Sequence, residues 1–220
     1  EPITAWAARK QEKKCIGISH QDAFRYPVPM QGSSPLARLL LNWFAPADDH
    51  LGLHWHHFNH SILPPMIKTD LPQKATNDSK ILVYLPFLQQ QHYHELFRQF
   101  SDYRFVQYHD VEQTTRHANI SCHPLSRNGF LEDFSDCAGV ISNAGFGTCS
   151  EAIHYAKKLL ALPLQGQMEQ LSNGLALQQL GLGRVSQRLG HDLLQDWLQQ
   201  PMPPGLRFPD VAAEIVQWLA

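Results

Sequence analysis

The run Val140-Ile-Ser-Asn-Ala-Gly-Phe-Gly-Thr-Cys-Ser-Glu151 holds the residue types best placed to do chemistry. An apolar stretch ends, two glycines permit a tight turn, and a helix is predicted to begin near Thr148. That order of elements aims unpaired backbone N–H groups and the positive end of a helix dipole at one point. Such a point binds phosphate, because glycine lets the backbone approach an oxyanion with no Cβ in the way. The Thr148 hydroxyl adds a donor. The run is neither a GK[ST] phosphate loop nor a full GxGxxG fingerprint, and a glycine turn between strand and helix also has a purely structural use.

A second polar run follows at Pro163-Leu-Gln-Gly-Gln-Met-Glu-Gln170 and continues to Asn173. Gln165, Gln167, Glu169 and Gln170 fall at the carboxyl end of the next predicted strand, the edge where open α/β sheets bind ligands. Amides and a carboxylate at that edge suit sugar hydroxyls. Glu151, on the first helical turn, is placed to accept two hydrogen bonds from a ribose diol, or else simply to complement the helix dipole.

The elements that must position these residues alternate along the chain. Residues 1–14 and 34–45 read as helices and Cys15–Ser19 as a short strand between them; residues 51–55 alternate as a strand. The proline-bearing stretch LPPMIKTDLPQKATNDS at 63–79 reads as a linker. Beyond it, strands at 80–85, 104–108, 119–123, 138–142 and 159–162 alternate with helices at 92–100, 131–137, 148–156, 169–180 and 191–199. That rhythm specifies a doubly wound parallel sheet of the Rossmann type. The expected division is 1–62 as the later part of one domain, 63–79 as linker, 80–205 as a ligand-binding domain, and 206–220 as a helix returning to the first domain. A helix-then-strand opening suggests a chain that starts partway through an α/β domain.

Composition excludes several classes. A formal charge of −2 lacks the cationic excess of a non-specific nucleic-acid binder, and no apolar stretch approaches the roughly 20 residues of a membrane span. Cys15, Cys122, Cys137 and Cys149 show no CxxC spacing, and reduced thiols in a cytoplasmic protein are expected. Thirteen histidines invite a metal reading. His54 and His56 would share a strand face, but no Cys or carboxylate cluster accompanies them, so no metal and no cofactor are expected. Asp48-Asp49 reads as a turn feature. Leu36, Leu39, Leu40, Trp43 and Phe44, with Arg38 nearby, form either a core-facing helix or a peripheral contact with the inner membrane face.

The sequence SNAGFGTCSEAIHYAKKLLALPLQGQMEQLSNGLALQQLGLG resembles the donor-site signature of GT-B glycosyltransferases, notably the lipid-linked N-acetylglucosaminyltransferase of peptidoglycan synthesis and the UDP-glycosyltransferases. The resemblance is specific over residues 130–183 and looser elsewhere. It implies a GT-B fold and transfer of a sugar from a nucleotide sugar, UDP-linked by preference, to an unidentified acceptor: a glycan, a lipid or a small molecule. It implies that Gly145, Phe146, Gly147 and Thr148, with Asn143, line the donor diphosphate. Glu151 would hold ribose; Gln165, Glu169, Gln170 and Asn173 would hold the sugar; the backbone near Phe130 and Leu131 would meet the base. Asn143 stands where relatives often carry His or Arg.

Two departures accompany the resemblance. LPFLQQQ follows the strand at 80–85 in place of a glycine-rich loop, and the opening strand and acceptor loop of such enzymes have no counterpart, so the chain reads as a fragment. With no DxD motif, a metal-independent, inverting reaction is expected, its leaving group held by amides and helix dipole. The acceptor hydroxyl needs a general base, and His20, directly after the strand at 15–19, is the candidate, although a hydrogen-bonded structural histidine is the plainer alternative. A donor-binding half that needs a partner acceptor domain, and a sugar-nucleotide epimerase of the same fold, are the competing functions.

Overall fold

The computed structural model describes residues 2–32, 43–86 and 91–219. Its first sheet holds three parallel strands, β1 (Ile16–Ser19), β2 (Asp49–Leu53) and β3 (Ile62–Leu63), in that order. Helix α1 (Pro2–Lys10) precedes it, and the short α2 (His20–Ala23) follows β1 directly, capped by the Ser19 side chain. Gly52 lets α2 approach β2, since a Cβ there would lie 2.8 Å from the Ala23 Cα. The helix expected at 34–45 and its candidate membrane face lie outside the described residues except for residues 43–45, of which Trp43 and Phe44 are exposed.

The second sheet runs β10-β9-β8-β4-β5-β7-β6. Its strands are β4 (Asn77–Tyr84), β5 (Arg104–His109), β6 (Thr115–His117), β7 (Ile120–Pro124), β8 (Cys137–Ser142), β9 (Lys158–Ala161) and β10 (Arg184–Val185). All neighbours are parallel except β6, which returns antiparallel along β7. Successive residues feed opposite layers. Leu82, Val140 and Leu159 join a core with α4 (Arg127–Asp136), α5 (Phe146–His154) and α6 (Met168–Leu180). Ile81, Val83, Ile141 and Leu160 join another with α3 (Gln91–Arg98) and α7 (His191–Gln199). Burial on both faces explains why β4 and β8 read as continuous apolar runs. Strand order reverses between β4 and β8, the switch point at which such sheets open a crevice.

Several boundaries differ from expectation. β4 starts at Asn77, so the connection between the sheets is 64–76 rather than 63–79. β2 ends at Leu53, which removes the shared strand face of His54 and His56: His54 is 1% exposed and His56 is exposed. Helix α8 (Val211–Leu219) crosses back, as expected, and packs Val211 and Ile215 on Leu51 and Leu53, while Trp218 and Leu219 are exposed. Among the described residues, no helix is long and apolar enough to cross a membrane.

Candidate functional site

Strand β8 is buried along its whole length, and its exit is braced before it turns. The Leu162 N–H donates to the Ser142 carbonyl at 2.7 Å, and the Asn143 Nδ2 donates to the Leu162 carbonyl at 3.1 Å. Ala144 then takes a φ of 58°, a left-handed conformation uncommon for a residue with a Cβ. Gly145 is the N-cap of α5, extended and without any side-chain capping bond. The first helical bond to close onto it runs from the Cys149 N–H to the Gly145 carbonyl at 3.1 Å. The amides of Phe146, Gly147 and Thr148 therefore precede the helical ladder. A Cβ built on Gly145 or Gly147 meets nothing within 4 Å, so open space lies outside both. This is an uncapped helix terminus with room for an anion.

Thr148 and Glu151 continue from that terminus into a cleft of about 340 Å³. Its other walls are Tyr84 at the end of β4, Tyr108 on β5, and Leu125, Ser126, Arg127 and Phe130 where β7 passes into α4. Phe130 sits edge-on to Tyr84 and Tyr108, with ring centroids 5.5 and 5.7 Å away. Burial raises the Glu151 pKa, and the Arg127 charge pulls the other way. Arg127 carries no pattern in the sequence that would single it out; it opens α4, which starts four residues before the expected 131 and is capped by the Ser126 side chain.

The base-binding expectation needs correction. Phe130 and Leu131 lie inside α4, and the Phe130 amide already donates to the Ser126 carbonyl at 2.9 Å. The Phe130 amide is therefore not free to meet a base. It is the Phe130 ring that lines the cleft, and Leu131 is not among the lining residues. Asn143 is corrected as well: it is 4% exposed, holds the exits of β8 and β9 together, and leaves its Oδ1 buried without a partner.

A model of glycosyl transferase family 1 matches residues 1–203. The chain belongs to that family. No curated protein matches it in sequence. Among solved structures it is similar to the glycosyltransferase SnogD from Streptomyces nogalater, with 16% identity and a TM-score of 0.56 over 98% of this chain and 76% of that one. MurG of Acinetobacter baumannii is 14% identical, with a TM-score of 0.59 over 99% and 69% of the two chains. UGT89C1 of Arabidopsis thaliana, complexed with UDP-L-rhamnose, is 13% identical, with a TM-score of 0.61 over 90% and 59%. At such identities the likeness is one of fold, and this family 1 chain spans between 59% and 76% of those three.

The second polar run of this glycosyltransferase-family chain divides. Gln165 is exposed, and Glu169 accepts a bond from the Gln21 Nε2 at 3.3 Å across the two sheets. Gln170 is 8% exposed and its Oε1 accepts from the Leu164 N–H at 3.0 Å, which folds it onto its own loop. Asn173 is fully buried: its Nδ2 donates to the Ala144 carbonyl at 3.0 Å and its Oδ1 faces the His20 Nε2 at 2.7 Å. Asn173 thus shapes the turn and Gln170, through its Oε1, shapes the loop.

His20 is likewise not an unencumbered base. Its Nδ1 donates to the Leu53 carbonyl at 2.9 Å, and Asn173, oriented by Ala144, presents an acceptor to Nε2. Both ring nitrogens face acceptors of the protein, so neither is turned toward an acceptor hydroxyl. The hydrogen bonds favour the charged ring; burial opposes them and lowers the pKa. The signal that finds this role is spatial, since its two partners, Leu53 at the end of β2 and Asn173 in α6, are 120 positions apart in the chain.

Proposed function

We propose that this chain carries the nucleotide-sugar-binding part of a glycosyltransferase that moves a sugar from a UDP-sugar to an acceptor hydroxyl, with inversion and without a metal. The observation that carries the reading is the uncapped start of α5, with open space outside Gly145 and Gly147, adjoining the cleft of Tyr84, Phe130 and Glu151. A diphosphate at the three leading amides would direct its nucleoside along Thr148 toward Glu151, with the aromatic wall against the base. In the transfer step the acceptor oxygen bonds to the anomeric carbon and gives up its proton to a general base on the acceptor side, the bond from that carbon to the diphosphate oxygen breaks, and its electron pair passes to the diphosphate. Amides and helix dipole already point where that charge grows, which lowers the barrier without reorganisation. On this reading residues 1–62 belong to the acceptor side, 80–205 form the donor domain, and 206–220 tie the two together.

Calorimetric titration with UDP, GDP and TDP tests the reading. UDP is expected to bind at least about tenfold more tightly than GDP, the scale of one lost or mismatched polar contact. Failure of all three nucleotides to bind removes it. The engagement of both His20 nitrogens favours a narrower second reading, in which the chain binds the donor and the acceptor-side base comes from elsewhere. Tight binding of a UDP-sugar with no turnover, even with acceptors present, separates that case from the complete enzyme.

A further inference from the structure

His20 and Asn173 stand 153 positions apart and meet beside the turn at 144–148. The His20 ring lies flat on Phe146, with centroids 3.7 Å apart and planes 6° from parallel. Through Asn173 it also reaches the Ala144 carbonyl. Phe146 supplies one of the three leading amides of α5, and Ala144 is the left-handed residue that launches the turn. A non-glycine residue in that region persists only where its surroundings hold it. His20 is anchored in turn by the Leu53 carbonyl at the end of β2.

We propose that His20 is a positioning residue for the diphosphate turn. It holds both ends, the carbonyl before Gly145 through Asn173 and the side chain after it by stacking, so that the intervening amides face outward. The proposal rests on the reading of that turn as a diphosphate site. Because His20 follows β1 of the first sheet and the turn follows β8 of the second, the shape of the donor site depends on how the two sheets are seated. The remaining contacts across the same seam act in the same direction. Trp55 Nε1 donates to the Ser150 Oγ at 2.8 Å, and the Gln31 N–H donates to the Ser172 Oγ at 3.0 Å.

The test compares UDP with uridine, which lacks the diphosphate, on His20→Phe, Asn173→Ala and the double variant. His20→Phe keeps a ring against Phe146 and removes both hydrogen bonds; His20→Gln restores a donor toward Asn173. Each single variant is expected to weaken UDP about tenfold and leave uridine affinity unchanged, which also reports an intact fold. The double variant should be no weaker than the weaker single one, because the two residues act through one chain of contacts. His20→Gln should recover part of the loss. Unchanged UDP affinity in either single variant, equal losses of UDP and uridine, or a double variant about a hundredfold weaker overturns the proposal. Wild-type chain that binds UDP no better than uridine defeats the diphosphate reading itself, a result visible before any variant is made.

Discussion

Glu151 and His54 are both titratable, both held off water, and differ in what their protonation reports. Burial raises the Glu151 pKa. As pH falls through that raised value the carboxylate gains a proton and loses an acceptor for the ribose diol. Uridine affinity should therefore drop on acidification at a pH above the usual carboxylate range, and Glu151→Gln should abolish the step. Glu151→Ala should weaken UDP by about 1–3 kcal/mol, as for a lost hydrogen bond to a charged group; unchanged affinity on calorimetry would take Glu151 out of the site. For His54, burial first and the charges of His20 and His56 next lower the pKa to about 3. The folded state keeps the ring neutral while the unfolded chain takes up a proton below about 6.5. Stability is then complete above about 6.5 and falls as pH drops toward about 3, by on the order of 5 kcal/mol. His54→Asn, which can still accept the Trp55 N–H, should flatten that dependence by up to one proton in urea melts at graded pH. An unaltered slope would assign the acid sensitivity elsewhere.

At the scale of elements, the strand, turn and helix at 137–154 were legible because an apolar run is followed by two glycines, although the helix starts at Phe146, two residues before the expected Thr148, and its uncapped first turn is visible only in the fold. The roles of the amide side chains around them were not. Asn143 and Asn173 have the same chemistry whether they meet a sugar or a backbone carbonyl, and only the fold shows that both donate to carbonyls of the protein. β6 and β10, with three and two residues, are too short for periodicity to mark. The glycines give the sharpest prediction at this scale. Gly147→Ala meets no neighbour and lies in a helix, so it should raise stability by about 0.5–1 kcal/mol. The same methyl would stand where the diphosphate must come, and UDP affinity should fall by at least about tenfold. A variant that melts higher and binds UDP as before would show that the open space is not the ligand's.

Considered as a whole, the molecule is two sheets closed by one seam and one returning helix. The order of elements made a doubly wound sheet readable, but the seam joins residues far apart in the chain, and no local pattern predicts such pairs. Phe146 belongs to it on both sides, packed against Leu51, Leu53 and α8 as well as the larger core. Ile215→Ala on α8 should lower stability by about 2–4 kcal/mol, the usual range for truncating a buried isoleucine. Hydrogen exchange should quicken first at Leu51 and Leu53, ahead of β8. Uniform acceleration across both sheets would mean that α8 holds no separate unit.

The seam also contains a built-in optical reporter. Trp55 is 4% exposed and stacks on Phe146 at 5.2 Å, one side chain away from the amides proposed to hold the diphosphate. Trp6, Trp43 and Trp218 are 40%, 64% and 46% exposed, open to a water-borne quencher such as acrylamide, whereas Trp197 is buried in the opposite layer. With the exposed indoles silenced, the remaining emission comes from Trp55 and Trp197, and Trp197→Phe leaves Trp55 alone. Donor occupancy becomes readable as light from the unlabelled chain.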